Sequence, residues 1–94
     1  MKFYDWNEQK NQEIKQERGV SFEEVVLALE SKQLLITITR PNQNRYPGQR
    51  IFIVNIDHYA YLVPFVEDEI KVFLKTIIPS RKATKKYIIE KEKL

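Results

Sequence analysis

The sequence predicts one α+β domain in which helices flank a run of consecutive antiparallel strands. Helical apolar spacing is confined to the first 32 residues and to a segment after residue 80, and strand-type segments fill the region between them. This grouping is typical of an antiparallel meander rather than of a sheet wound from βαβ units. A chain of 94 residues buries one modest core, so we expect a single domain over residues 1–94 with the order β-α-α-β-β-β-β-α.

The amino-terminal third predicts one short strand and two helices. Residues 2–6 are rich in aromatic side chains and favour a strand, whereas residues 7–18 are polar helix formers with Ile14 as their one interior aliphatic residue. This first helix should therefore lie on the outside of the domain. Ser21 and Glu24 have the spacing of a capping box, and the apolar repeat that follows predicts a second helix packed against the sheet.

The middle of the chain predicts four strands, because its apolar residues are mostly Ile, Val, Phe and Tyr. These strands cover residues 34–40, 51–56, 59–66 and 70–78. Short polar segments separate the last three, as in hairpins, and the longer loop 41–48 contains Asn, Pro and Gly. Ser80 is placed to cap a last helix over residues 81–90, whose inward side chains are Ala83, Tyr87 and Ile88.

The charge of the chain is distributed unevenly. Residues 1–30 carry four Lys or Arg against seven acidic residues, a balance of −3, while residues 81–94 carry six against two, a balance of +4. Such asymmetry favours an anionic ligand near the carboxyl-terminal part, although a solvated basic helix explains it equally well. No apolar run is long enough to span a membrane and the first residues are polar, so we expect a cytoplasmic protein without a membrane partner.

The start of the last helix is the strongest candidate for chemistry. Arg81 and Lys82 occupy the first turn, where the helix dipole disfavours cations, yet bare amides beside two cations suit a phosphate. Lys85 lies one turn further on, Arg45 and Arg50 add positive charge, and Tyr87 offers a ring face to an unstacked base. Such tyrosines are more often core or interface residues.

Known catalytic and cofactor motifs are missing from the sequence. It contains no phosphate-binding glycine loop and no cysteine, and its one histidine, His58, lies at a predicted turn where a surface role is the more common one. The carboxylates at 67–69 point in different directions from a turn. We therefore expect no metal site and no small-molecule cofactor.

Two segments together resemble the BrnT toxin family. Residues 3–11 (FYDWNEQKN) and 19–24 (GVSFEE) are similar to that family's F-x-W-D-x-x-K-x-x-x-N…G-V-S-F-E-E-A pattern, and residues 77–84 (IIPSRKAT) are similar to its I-I-S-A-R-K-A-T segment. The order of the motifs is the same and they span nearly the whole chain. The sequence departs from the pattern at Arg18, where the family has histidine, and at Thr76, where it commonly has arginine.

The resemblance implies a RelE-like fold and a metal-independent ribonuclease toxin of a type II toxin–antitoxin system, held by a DNA-binding antitoxin. A ribose 2′-OH would attack the adjacent phosphate while cations stabilise the developing charge. For this reaction we expect charge stabilisation by Arg50 and Arg81, phosphate positioning by Lys82 and Lys85, and proton transfer by Glu67 or Lys75. Of these residues only Arg81 and Lys82 lie in a matched motif. Arg45 and Tyr87 are expected to contact RNA.

Two alternatives stay open at this stage. One is a module that binds RNA or an acidic protein segment without catalysis, and the other is an interaction protein whose basic last helix only docks an antitoxin or another subunit. Both also predict a partner chain.

Overall fold

In the computed structural model, which describes residues 2–92, one six-stranded sheet carries helices on both faces. The strands are β1 (Phe3–Asp5), β2 (Leu34–Thr39), β3 (Arg50–Ile56), β4 (Tyr59–Glu67), β5 (Lys71–Leu74) and β6 (Ile78–Pro79). Their spatial order is β1-β5-β4-β3-β2, and β6 pairs with β4 beyond the end of β5. The α+β class is confirmed, and no helix in the described residues is long and apolar enough to cross a membrane.

Helices α1 (Glu8–Arg18) and α2 (Phe22–Glu30) lie where the sequence predicts two helices, and local side-chain and backbone contacts cap them. The Asn7 side chain accepts a hydrogen bond from the Lys10 amide at 2.9 Å and starts α1. Gly19 ends it with a φ of 69°, a left-handed conformation that glycine adopts without steric cost. Ser21 Oγ accepts from the Glu24 amide at 3.2 Å, as the capping-box spacing predicts.

A buried amide side chain joins the two helices. Asn11 is fully buried, and its Nδ2 donates to Glu8 Oε1 at 2.8 Å and to Glu23 Oε1 at 2.7 Å. Its Oδ1 accepts from the Phe22 amide at 2.8 Å, so the first turn of α2 is satisfied from α1. The hydrogen bond from Asn11 stabilises the carboxylate of Glu23 and lowers its pKa below the usual 4.5.

Strands β2 to β5 form the predicted antiparallel meander. The β3–β4 turn contains Asp57 and His58, both with positive φ, as in tight two-residue hairpins. In the β4–β5 turn, Asp68 Oδ1 accepts from the amides of Ile70 and Lys71, which lowers the pKa of the Asp68 carboxyl. β1 pairs with β5 in parallel, so the complete sheet is mixed.

The prediction of one strand over residues 70–78 was wrong. Leu74 of β5 pairs with Phe65, and Ile78 of β6 pairs with Leu62. Between these two pairs, the three residues 75–77 lie opposite only two residues of β4, 63 and 64. The extra residue forms a bulge that separates the two short strands. At the bulge Ile77 is fully buried, and its carbonyl accepts a hydrogen bond from the Arg18 guanidinium.

Each face of the sheet has its own core. Residues of α1 and α2, including Phe22 and Val25, pack with Val63, Phe65 and Leu74 on one face. The other face packs against the carboxyl-terminal helix, and this second core is Ile51, Ile53, Ala60, Ala83 and Ile88. We call these the α1/α2 face and the C-helix face.

The carboxyl-terminal helix differs in detail from the regular α-helix predicted for residues 81–90. It consists of an α-helical turn (Arg81–Thr84), a π-helical turn (Lys85–Ile89) and a last α-helical segment (Glu90–Glu92). The predicted inward line is confirmed, because Ala83 and Ile88 are buried and Tyr87 is half-buried.

Candidate nucleic-acid-binding site

The predicted site residues lie on both faces of the sheet rather than in one cluster. Side chains alternate between faces along a strand, so Arg50 and Glu67 share the α1/α2 face with Phe65. The carboxyl-terminal helix, with Arg81, Lys82 and Lys85, packs on the opposite face. A single reaction centre that includes both Arg50 and Arg81 is therefore not assembled within one subunit.

Arg50 and Glu67 form an ion pair at the end of the α1/α2 face. Lys2 Nζ also approaches Glu67 Oε2 at 3.0 Å, so this carboxylate is shared by two cations. The Arg50 guanidinium carbon lies 5.1 Å from the centre of the Phe65 ring. Arg50 therefore has a partner on each side, the Glu67 carboxylate and the Phe65 ring, while the cluster of two cations and one carboxylate keeps a net positive charge.

The start of the carboxyl-terminal helix is capped by a hydroxyl and is exposed to solvent. Ser80 Oγ accepts from the Ala83 amide at 3.0 Å, and the Ser80 carbonyl accepts from the Thr84 amide at 3.0 Å. Arg81 and Lys82 are exposed, and among residues 2–92 no carboxylate lies within 4.0 Å of either side-chain cation. Their charge is therefore available to an anion from outside the subunit.

Thr84 fixes the position of this helix start on the sheet. Its buried hydroxyl accepts from the Ala60 amide at 2.8 Å and donates to the Ser80 carbonyl at 2.7 Å. The first contact satisfies a strand amide that has no partner across the ladder at that point. Lys82 thus projects from a backbone that is held at two points.

Beside this helix start, a groove of about 200 Å³ runs between the helix and the sheet. Ile38, Ile53 and Leu62 form an apolar floor, and Ser80, Lys82, Ala83, Lys86 and Tyr87 line the helix side. Lys86 Nζ lies 5.2 Å from the centre of the Tyr87 ring. We call this the basic groove, because its two charged lining residues are both lysines, one helical turn apart.

The basic groove combines two kinds of contact that a single-stranded nucleic acid uses. The ammonium groups of Lys82 and Lys86 attract phosphate, and the apolar floor together with Tyr87 offers a surface for a base. Its lining includes no Asp or Glu. An anionic ligand therefore meets no repulsion in the groove itself.

The remaining predicted residues lie outside the basic groove. Lys75 lines a different cavity beside α1, and its Nζ is 5.5 Å from the centre of the Phe73 ring. Arg45 lies in the 41–48 loop, and its guanidinium carbon is 5.5 Å from the centre of the Tyr46 ring. The guanidinium carbon of Arg40 is 3.6 Å from the centre of the same ring. Lys85 is exposed one turn beyond Arg81.

His58 and Tyr61 also have partners within the subunit. His58 Nε2 lies 2.8 Å from Glu92 Oε1, which joins the β3–β4 turn to the end of the carboxyl-terminal helix. Tyr61 packs against the core of the α1/α2 face, and burial raises the pKa of its phenol, assisted by the charge of Glu24. Tyr61 is therefore not a base platform for the basic groove.

Sequence reasoning missed two contributors to the groove. Lys86 is not among the residues predicted to contact RNA, although its i, i+4 relation to Lys82 places the two lysines on one side of the helix. Thr84 carried no sequence signal, because its function depends on a strand amide 24 residues away.

The comparisons with known proteins return no relative. No family description, no curated protein and no solved structure matches this chain. Within the part of the chain that the structure describes, no three His, Cys, Asp or Glu side chains are grouped to hold a metal ion.

Proposed function

We propose that this protein is an RNA-directed toxin of the BrnT type, with a RelE-like fold, that acts in the cytoplasm as part of a type II toxin–antitoxin system. The motifs at residues 3–24 and 77–84 support the family, and the α+β order is compatible with it. The observation that carries the RNA part is the basic groove, where Lys82 and Lys86 border an apolar floor without any acidic lining residue.

In this proposal the carboxyl-terminal helix performs the recognition. Lys82 and Lys86 each contact one phosphate group of the RNA, and Arg81 stabilises negative charge that develops on a neighbouring phosphate during attack by the 2′-OH. In this proposal Arg50 and Glu67 lie outside the centre, because they occupy the α1/α2 face and form an ion pair with each other. The antitoxin partner would cover residues 81–86 with an acidic segment.

A second candidate is an RNA-binding protein that inhibits without cleavage. One observation favours it: neither proposed proton-transfer residue, Glu67 or Lys75, lines the basic groove. In that case RNA would be held by the same lysines and the phosphodiester bond would remain intact.

Expression of the chain without a partner tests the proposal. We expect growth arrest together with RNA cleavage, and purified protein should cleave RNA equally well with excess EDTA. The double variant Arg81→Ala, Lys82→Ala should relieve the arrest, because it removes both exposed cations at the helix start. The matched control is Lys10→Ala, Lys15→Ala, which removes the same charge from α1.

The outcomes separate the two candidates. Growth arrest and RNA binding without cleavage would favour the non-catalytic candidate. Normal growth with folded wild-type protein, or equal loss of toxicity in the two double variants, would contradict both.

A further inference from the structure

Strand β2 is a free edge of the sheet that lacks the usual protection. Its six residues are uncharged and contain no proline, and the strand has a neighbour only on the β3 side. Leu34 and Ile36 are 40% and 37% exposed. Natural edge strands are normally protected by charges, proline or a bulge, and the bulge here precedes the regular part of β2, from Ile36 onward.

The register of β2 against β3 shows which of its backbone groups are free. The Arg40 amide donates to the Gln49 carbonyl at 3.0 Å and the Asn55 amide donates to the Gln33 carbonyl at 2.9 Å, so residues 40 and 33 at the two ends of β2 occupy hydrogen-bonded positions of the ladder. Hydrogen-bonded and non-hydrogen-bonded pairs alternate in an antiparallel ladder. The backbone groups of Ile38 and Ile36 therefore bond to β3, whereas those of Thr37 and Thr39 point away from the sheet.

We propose that a second copy of this chain adds to the edge, with two β2 strands antiparallel around a twofold axis at Thr37. This register satisfies two independent requirements. Each Thr37 meets the other through outward-pointing backbone groups, so the two residues can exchange two hydrogen bonds. Residues opposite each other also lie on the same face of their sheets, since the register pairs Ile36 with Ile38 of the second copy.

Side-chain chemistry favours this occupant. Two Ile36–Ile38 pairs form one apolar cluster on the C-helix face and cover the exposed Ile36. No charged residue lies within the paired segment. Arg40, the nearest cation, is directed back to its own subunit, where it donates to Gln49 Oε1 at 2.9 Å and stacks over Tyr46.

The dimer goes beyond the proposed function and does not depend on it. The twofold axis is perpendicular to the joined sheet, so both basic grooves lie on the same side of the assembly. A longer RNA would then contact two sets of lysines.

Cysteine cross-linking tests the register directly, because the natural chain has no cysteine. In Thr37→Cys the two Cα atoms are about 5.5 Å apart across a hydrogen-bonded pair, inside the range for a disulfide. The matched control is Thr39→Cys, another exposed threonine of the same strand. In the proposed dimer the two residues at position 39 are offset by four residues along the strands. They are therefore about 13 Å apart, which is too far for a disulfide.

We expect the Thr37→Cys protein to form a disulfide dimer under mild oxidation, at least roughly tenfold more than the Thr39→Cys protein. Sedimentation of the wild type should give a dimer, and Ile36→Lys should give a folded monomer. Equal cross-linking of the two cysteine variants, or a wild type that sediments as a monomer at all concentrations, would overturn the proposal. Circular dichroism confirms the fold of each variant.

Discussion

Asn11→Ala lowers the free energy of unfolding by about 3 kcal/mol. The substitution removes two hydrogen bonds to carboxylates and leaves the Phe22 amide, at the buried start of α2, without its acceptor. Hydrogen bonds to charged groups contribute about 1.5–3 kcal/mol each, and an unsatisfied buried donor costs about 1–3 kcal/mol. Urea denaturation of wild type and variant measures the difference, with Gln9→Ala, an exposed position of the same helix, as the control.

The pH dependence of this loss identifies its cause. Because the pKa of Glu23 is lowered in the folded protein, its hydrogen bond from Asn11 adds stability above the usual carboxyl pKa of 4.5. That contribution disappears as the pH falls through the lowered value. The gap between wild type and variant should therefore narrow in acid. A gap that is constant from pH 7 to pH 3 would show that the carboxylate hydrogen bond does not contribute, and that Asn11 acts through the Phe22 amide and through packing.

Lys82→Ala, Lys86→Ala weakens the binding of a single-stranded RNA oligonucleotide roughly 10- to 100-fold at low salt. The two ammonium groups are the charged groups that line the basic groove, and each contributes one phosphate contact in the proposed complex. The slope of log affinity against log salt concentration should also fall by about 0.7 for each lost contact. Fluorescence anisotropy at several salt concentrations measures both quantities.

The control for this loss is Lys10→Ala, Lys15→Ala, which changes the net charge equally but lies on α1. If the two double variants lose affinity to the same extent, net charge alone governs binding and the groove has no special role. A change in affinity without a change in salt slope would also contradict phosphate contacts by these lysines.

Local signals predicted the helices and hairpins well. Ser21 and Ser80 act within four residues of the backbone groups that they satisfy, so the sequence contains the whole interaction. The tight turn at Asp57 and His58 was predicted for the same reason.

Features that depend on distant contacts were not predicted. The bulge between β5 and β6 follows from the pairing of this segment with β4, and apolar composition alone suggested one continuous strand. Asn11 lies within a motif of the family resemblance, but the sequence predicted no function for it. Its partners Phe22 and Glu23 become neighbours only when α1 and α2 pack against each other.

The candidate site shows the same division. The exposed cations at the helix start follow from a local cap, and they are placed as predicted. The relation of Arg50 to Arg81 depends on which face of the sheet each residue occupies, and this is decided by the register of β3 and by the packing of the last helix. Sequence separation and charge gave no information about either.

Chemical-shift mapping with a single-stranded RNA oligonucleotide tests the location of the proposed site most directly. On titration, the backbone amide signals of Ile38, Lys82, Lys86 and Tyr87 should shift together, whereas those of Arg50 and Glu67 should remain unchanged. Shifts centred on Arg50 and Glu67, or no shifts in the basic groove at RNA concentrations that saturate binding, would contradict the account.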